Sequence, residues 1–155
     1  MNSRREMLKS SAAVAAMLIG AGFLPRTAQA QASGFNTAAF EAKTVAEAVK
    51  AFGGSAPVES KEVMITGPDI AENGAVVPLG AASTAAGVKR LMVMVEKNPN
   101  ALAAMFEFTD SVEPTVKTRV KMGQSSDVYA VAMMNDGRVL YAKKEVKVTL
   151  GGCGG

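Results

Sequence analysis

From Val58 onward, apolar and polar positions alternate with period two, in short runs separated by turn residues; before Phe52 the spacing is helical. Successive side chains of a strand point to opposite faces, so alternation marks a strand with one wet face, whereas apolar residues three and four apart mark one face of a helix. Over Thr37 to Phe52, Phe40, Val45, Val49 and Phe52 fall close to one face, and alanines at 38, 39, 42, 46 and 48 favour helix. The spacing predicts a helix over this stretch, stopped by Gly53-Gly54 with Pro57 beyond.

The strand runs are Val63-Met64-Ile65, Ala75-Val76-Val77, Val88 to Glu96, Met105 to Phe108, Val116 to Met122, Val128 to Met134, Val139-Leu140-Tyr141 and Val146 to Leu150. Lys117, Arg119 and Lys121 alternate with Val116, Val120 and Met122, which predicts one solvated face. Both alternating sets between Val128 and Met134 are apolar or aromatic, which predicts a strand covered on both faces. Asn135-Asp136-Gly137 is a hairpin signal. About seven strands in roughly 95 residues, with turns at short and even spacing, predict a mainly β fold: an immunoglobulin-like antiparallel β-sandwich with an N-terminal helix. The Cys…Trp…Cys pattern of antibody domains is absent, so connectivity cannot be read at this level.

Charge changes the picture only at the N-terminus. The net charge is +3, but four of the 17 basic residues and one of the 14 acidic ones lie in residues 1–30, leaving 13 of each in the remainder. A neutral remainder without a basic cluster or interleaved aromatics gives no support for nucleic-acid binding. Ser3-Arg4-Arg5-Glu6-Met7-Leu8-Lys9 fits a twin-arginine export signal, with Met7 where Phe is usual. The apolar run from Ser10 to Leu24 is shorter than the roughly 20 residues that span a bilayer, and Ala28-Gln29-Ala30 is a small-x-small cleavage site. The expectation is a chain exported to the periplasm through Arg4 and Arg5, free of the membrane afterwards; an uncleaved anchor is the alternative. The predicted organisation is a leader at 1–30, a helical segment at 31–57, a sandwich at 58–150 and an arm at 151–155.

The arm, Gly151-Gly152-Cys153-Gly154-Gly155, holds the only cysteine. Glycines lack side chains to pack and restrain the backbone little, which predicts a flexible tether for a thiol. No disulfide can form within a chain with one Cys, and a lone exported thiol pairs with another chain or is used chemically. Positions 151–155 carry no cation to lower the thiol pKa, which argues for a carrier activated by the proteins it visits. The absence of His removes Cys-His catalysis and His metal sites together. No cofactor and no metal site is expected. Glu107, Asp110 and Glu113 could do general acid–base work, but a solvated loop is the plainer account; Met92, Met94, Met133 and Met134 could bind copper, but core filling or a deformable partner surface is plainer.

The chain resembles the SoxY family, the sulfur-carrying subunit of the periplasmic thiosulfate-oxidising (Sox) system. The likeness rests on the twin-arginine leader, the helical segment after it, the stretch Ile65-Thr66-Gly67-Pro68-Asp69-Ile70-Ala71-Glu72-Asn73-Gly74, the stretch Glu96-Lys97-Asn98-Pro99-Asn100, and above all Gly151-Gly152-Cys153-Gly154-Gly155. The resemblance implies a non-catalytic carrier with an immunoglobulin-like sandwich, held as a heterodimer with SoxZ. It implies that Cys153 carries the sulfur: haem-containing SoxAX conjugates thiosulfate to it, the manganese hydrolase SoxB releases sulfate and leaves a persulfide, and SoxCD oxidises the remaining sulfur where that enzyme is present. Two other classes stay open on the residues alone. One is an exported structural or interaction protein linked through its single cysteine. The other is a thiol enzyme such as a sulfurtransferase, which the missing pKa-lowering groups disfavour.

Overall fold

The computed structural model describes residues 36–149. The helical segment is two helices, α1 (Thr37–Glu41) and α2 (Val45–Ala51), where the periodicity predicts one. Tertiary bonds make the break. Ala42 leaves helical geometry and its carbonyl accepts from Ala101 N–H at 2.9 Å, while Lys43 Nζ donates to Pro99 O and Asn100 Oδ1, each at 2.8 Å. Thr44 then starts α2 with a capping box: its hydroxyl accepts from Glu47 N–H, and the Glu47 carboxylate accepts from Thr44 N–H. The predicted stop is in place. Gly53, at φ +76°, donates to Lys50 O and Gly54 to Val49 O, the paired bonds of a Schellman motif.

Nine strands follow among the described residues: β1 (Val58–Glu59), β2 (Val63–Thr66), β3 (Ile70–Ala71), β4 (Val77–Ser83), β5 (Val88–Val95), β6 (Leu102–Glu107), β7 (Thr115–Val120), β8 (Ser126–Met134) and β9 (Val139–Val148). One sheet runs β1-β9-β8-β5-β6, with β3 also on β9; the other runs β2-β4-β7. The long strands pair antiparallel, as expected of an immunoglobulin-like sandwich. The pairing is not antiparallel throughout, because the two-residue strands β1 and β3 add to the outer edge of β9 in parallel. They can do so because the chain crosses from one sheet to the other and back, through β2, between them. Asn135-Asp136-Gly137 turns β8 into β9, with Gly137 at φ +88°.

β8 is covered on both faces, as its doubly apolar pattern predicts. Val128, Ala130, Ala132 and Met134 join Leu91, Val93, Val95, Leu79 and Val146 between the sheets. Val131 and Met133 join Met92, Met94, Ala48 and Val49 under the helices. The methionines at 92, 94, 133 and 134 are thus core filling, each burial worth roughly 1.5–3 kcal/mol. The wet face of β7 is also as predicted: Lys117 and Arg119 are exposed, Val116 half-buried and Val120 buried.

Candidate functional site

Cys153, the flanking glycines at 151, 152, 154 and 155, and the export pair Arg4-Arg5 lie outside the described residues, as does Leu150. What is described is the point where β9 leads into the cysteine segment, and several elements converge there. On the outer edge, Lys147 N–H donates to Asp69 O at 3.0 Å and Thr149 N–H to Ala71 O at 3.1 Å, in register with β3. The Thr149 hydroxyl adds donor bonds to Ala71 O (3.4 Å) and Glu72 O (3.2 Å). On the inner edge, Val148 N–H donates to Ser125 Oγ at 2.9 Å. Behind the strand, Gly74 packs so closely that a Cβ there would meet Val148 Cγ1 at 2.8 Å and Met122 O at 2.5 Å. The Gly74 carbonyl accepts from Met122 N–H at 2.7 Å.

Both internal stretches that carry the family resemblance meet at this end of the sandwich. Ile65 to Gly74 supplies β3 and the close approach at Gly74. In Glu96 to Asn100, Asn98 Nδ2 donates to Lys121 O at 2.8 Å, Asn98 Oδ1 accepts from Gly123 N–H, and Lys97 N–H donates to Ser126 Oγ at 3.0 Å. Ser126 is in turn in register with Val146 on β9. The roles of Ser125 and Thr149 were not visible in the sequence. A Ser or Thr carries no local sign of a partner 23 or 77 residues away.

Two of the three lysines on β9 are engaged in ion pairs. Lys143 Nζ lies 3.0 Å from Asp127, whose carboxylate holds the ammonium above its usual range, and Lys144 Nζ lies 2.7 Å from Asp69. The Asp69 carboxyl is held below its ordinary value, first by the Lys144 hydrogen bond and then by the Lys144 charge. Lys147 is exposed and makes no ion pair among the described residues. Tyr129, 5.8 Å from Tyr141 between ring centroids, is pushed up by burial and by Glu96.

The acidic candidates have different surroundings. Glu107 binds Arg90 (2.5 Å), while Asp110 and Glu113 line an open groove of about 470 Å³ on the loop after β6. A second groove, about 440 Å³, lies on the three-stranded sheet between Pro78, Gly80, Lys117 and Arg119. No group of three or more His, Cys, Asp or Glu comes together among the described residues. No described helix is long and apolar enough to cross a membrane.

The class so defined is an immunoglobulin-like β-sandwich whose last strand, bonded along both edges, leads into a segment bearing one thiol. The comparisons agree with that class and narrow it. Residues 48–153 match the family described as "Sulfur oxidation protein SoxY", and the chain belongs to that family. The solved structure of the sulfur carrier protein SoxY from Chlorobium limicola f thiosulfatophilum is 30% identical, with a TM-score of 0.60, over 66% of this chain and 92% of that one. A superoxide reductase (neelaredoxin) from Ignicoccus hospitalis shares the fold alone, at 18% identity and a TM-score of 0.50, over 56% of this chain and 80% of its own. No curated protein matches the sequence.

Proposed function

We propose that this protein is a non-catalytic covalent carrier of sulfur intermediates in thiosulfate oxidation, and that Cys153 is the carrying atom's residue. The observation that carries the reading is that the stretch matching the SoxY family reaches Cys153, the chain's only cysteine. The cysteine thiolate attacks the outer sulfur of thiosulfate. Two electrons leave to the haem of a SoxAX-type enzyme, and Cys–S–S–SO₃⁻ forms. Water attacks the terminal sulfur at a SoxB-type manganese hydrolase, releasing sulfate and two protons and leaving the persulfide Cys–S–S⁻. Further oxidation by a SoxCD-type dehydrogenase, where present, precedes release of the free thiol. The intermediates stay attached while separate enzymes act, which suits a chain with no His to serve as a base.

In this reading residues 151–155 are a glycine-flexible arm, the domain boundaries fall at 30, 57 and 150, SoxZ is the stable partner, and the twin-arginine leader with Arg4 and Arg5 takes the chain to the periplasm. Intact-mass analysis of protein from cells grown on thiosulfate tests it. Sulfur-containing adducts should appear, vanish with reductant and be missing from Cys153→Ser, which should also abolish thiosulfate oxidation. Undiminished oxidation by that variant would overturn the reading.

A further inference from the structure

We infer that the end of the sandwich around Thr149, with the exposed side chains of Ile70 and Val76, is the surface on which the enzymes that process Cys153 dock. The inference rests on the carrier reading above and adds a surface to it. Its first support is a limit on reach. Thr149 is bonded to Ala71 and Glu72 by its amide and hydroxyl, and Val148 to Ser125, so the backbone is held at least as far as Thr149. Four residues from Thr149 to Cys153 span at most about 14 Å. An enzyme that touches the sulfur with a recessed catalytic centre must therefore press its rim against the residues encircling Thr149.

The second support is what those residues expose. Ile70 is 57% exposed and Val76 50% exposed, two of the five large apolar side chains the described residues leave in solvent. Ile70 sits on β3, in register with the unpaired Lys147. Val76 lies two residues beyond Gly74, which packs on Val148. Lys97 and Lys121, also outside any ion pair among the described residues, flank the same end through Asn98 and Ser126. The partner that fits is a cleft rim with an apolar patch bordered by acidic or carbonyl oxygens. Apolar anchors ringed by polar groups are the usual source of interface energy. Another exposed apolar residue serves as a control. Val58 pairs with Leu140, eight residues back along β9 from Val148, which is about 26 Å at strand rise.

The test uses the full chain with its partner subunit and the purified enzymes that form and hydrolyse the Cys153 conjugate. Ile70→Ser with Val76→Ser should raise KM for the carrier by about tenfold with kcat little changed, as loss of docking contacts predicts. Alkylation of Cys153 by iodoacetamide should proceed at the wild-type rate, because a small reagent needs no docking. Val58→Ser should match wild type in both assays, and Ile70→Val with Val76 retained should restore most of the affinity. Wild-type KM for the double variant, or an equal rise for Val58→Ser, would overturn the proposal. Turnover by Cys153→Ser would instead overturn the carrier reading beneath it.

Discussion

Lys144 reaches from β9 to Asp69, Nζ to Oδ1 at 2.7 Å, and so ties the longest strand to the segment that encircles its end. The lysine occupies an even position, in step with Leu140, Ala142, Val146 and Val148, whose side chains turn toward the space between the sheets. A charge at that register also protects an edge. Between the two short parallel pairings, residues 142–146 have no strand partner on the outer side, and an inward-pointing lysine there opposes pairing with another chain.

This pair should give the bonds at the end of β9 a slight acid sensitivity, slight because the Asp69 side chain is 90% exposed and solvent screens it. A carboxyl whose folded pKa is lowered contributes stability above its unfolded value, near 4, and loses that contribution as pH falls through the folded value. Hydrogen-exchange protection of the Lys147 and Thr149 amides should therefore hold at neutral pH and decline below about pH 4. Asp69→Asn should lower protection already at neutral pH and flatten the acid step. An acid step of wild-type size in Asp69→Asn would assign it to another group.

Gly74 should tolerate no side chain. A Cβ would lie 2.5 Å from Met122 O, and the backbone there is held by the Met122 N–H bond to Gly74 O. Gly74→Ala should cost about 1–3 kcal/mol in urea unfolding. Gly123→Ala, where nothing lies within 4 Å of the added methyl, should be neutral or stabilise by up to about 1 kcal/mol. Equal midpoints for the two variants would contradict the geometry.

The second helix starts at Thr44, whose side chain caps it. Thr44→Ala should destabilise by about 0.5–2 kcal/mol, the usual cost of losing an N-cap oxygen, with Thr44→Ser close to wild type. Chemical denaturation of the three proteins checks it.

Arg90 joins the helical segment to the sandwich. Its guanidinium lies 4.2 Å from the Phe52 ring centroid and pairs with Glu107, and its side chain is 13% exposed against 62% for Glu107. Glu107→Gln should cost at most about 1 kcal/mol, since its side is solvated. Arg90→Ala should cost more, because it also uncovers Phe52 and removes the packed stem. Urea midpoints in the opposite order would refute this division.

How much could be read in advance differs by element. The doubly apolar run at Val128–Met134, the Gly53-Gly54 stop and the Asn135-Asp136-Gly137 turn were each legible, because the physics that makes them is local or periodic. The split at Ala42–Thr44 was not, because the bonds that cause it come from the Pro99–Ala101 turn. Nor were β1 and β3: two residues are too few to show a period, and their parallel placement depends on where β2 carries the chain.

The sequence alone determined the strand-rich class and the membership signalled by its motifs, and it singled out Cys153 as the candidate to carry chemistry, since residue type sets what an atom can do. Tertiary structure decided that Asp69, Ala71, Glu72, Gly74, Ser125 and Thr149 meet around one strand end. Those residues are brought together by pairing across 20 to 80 positions, and hydrogen bonds and close packing act on distance in space, which no local pattern records.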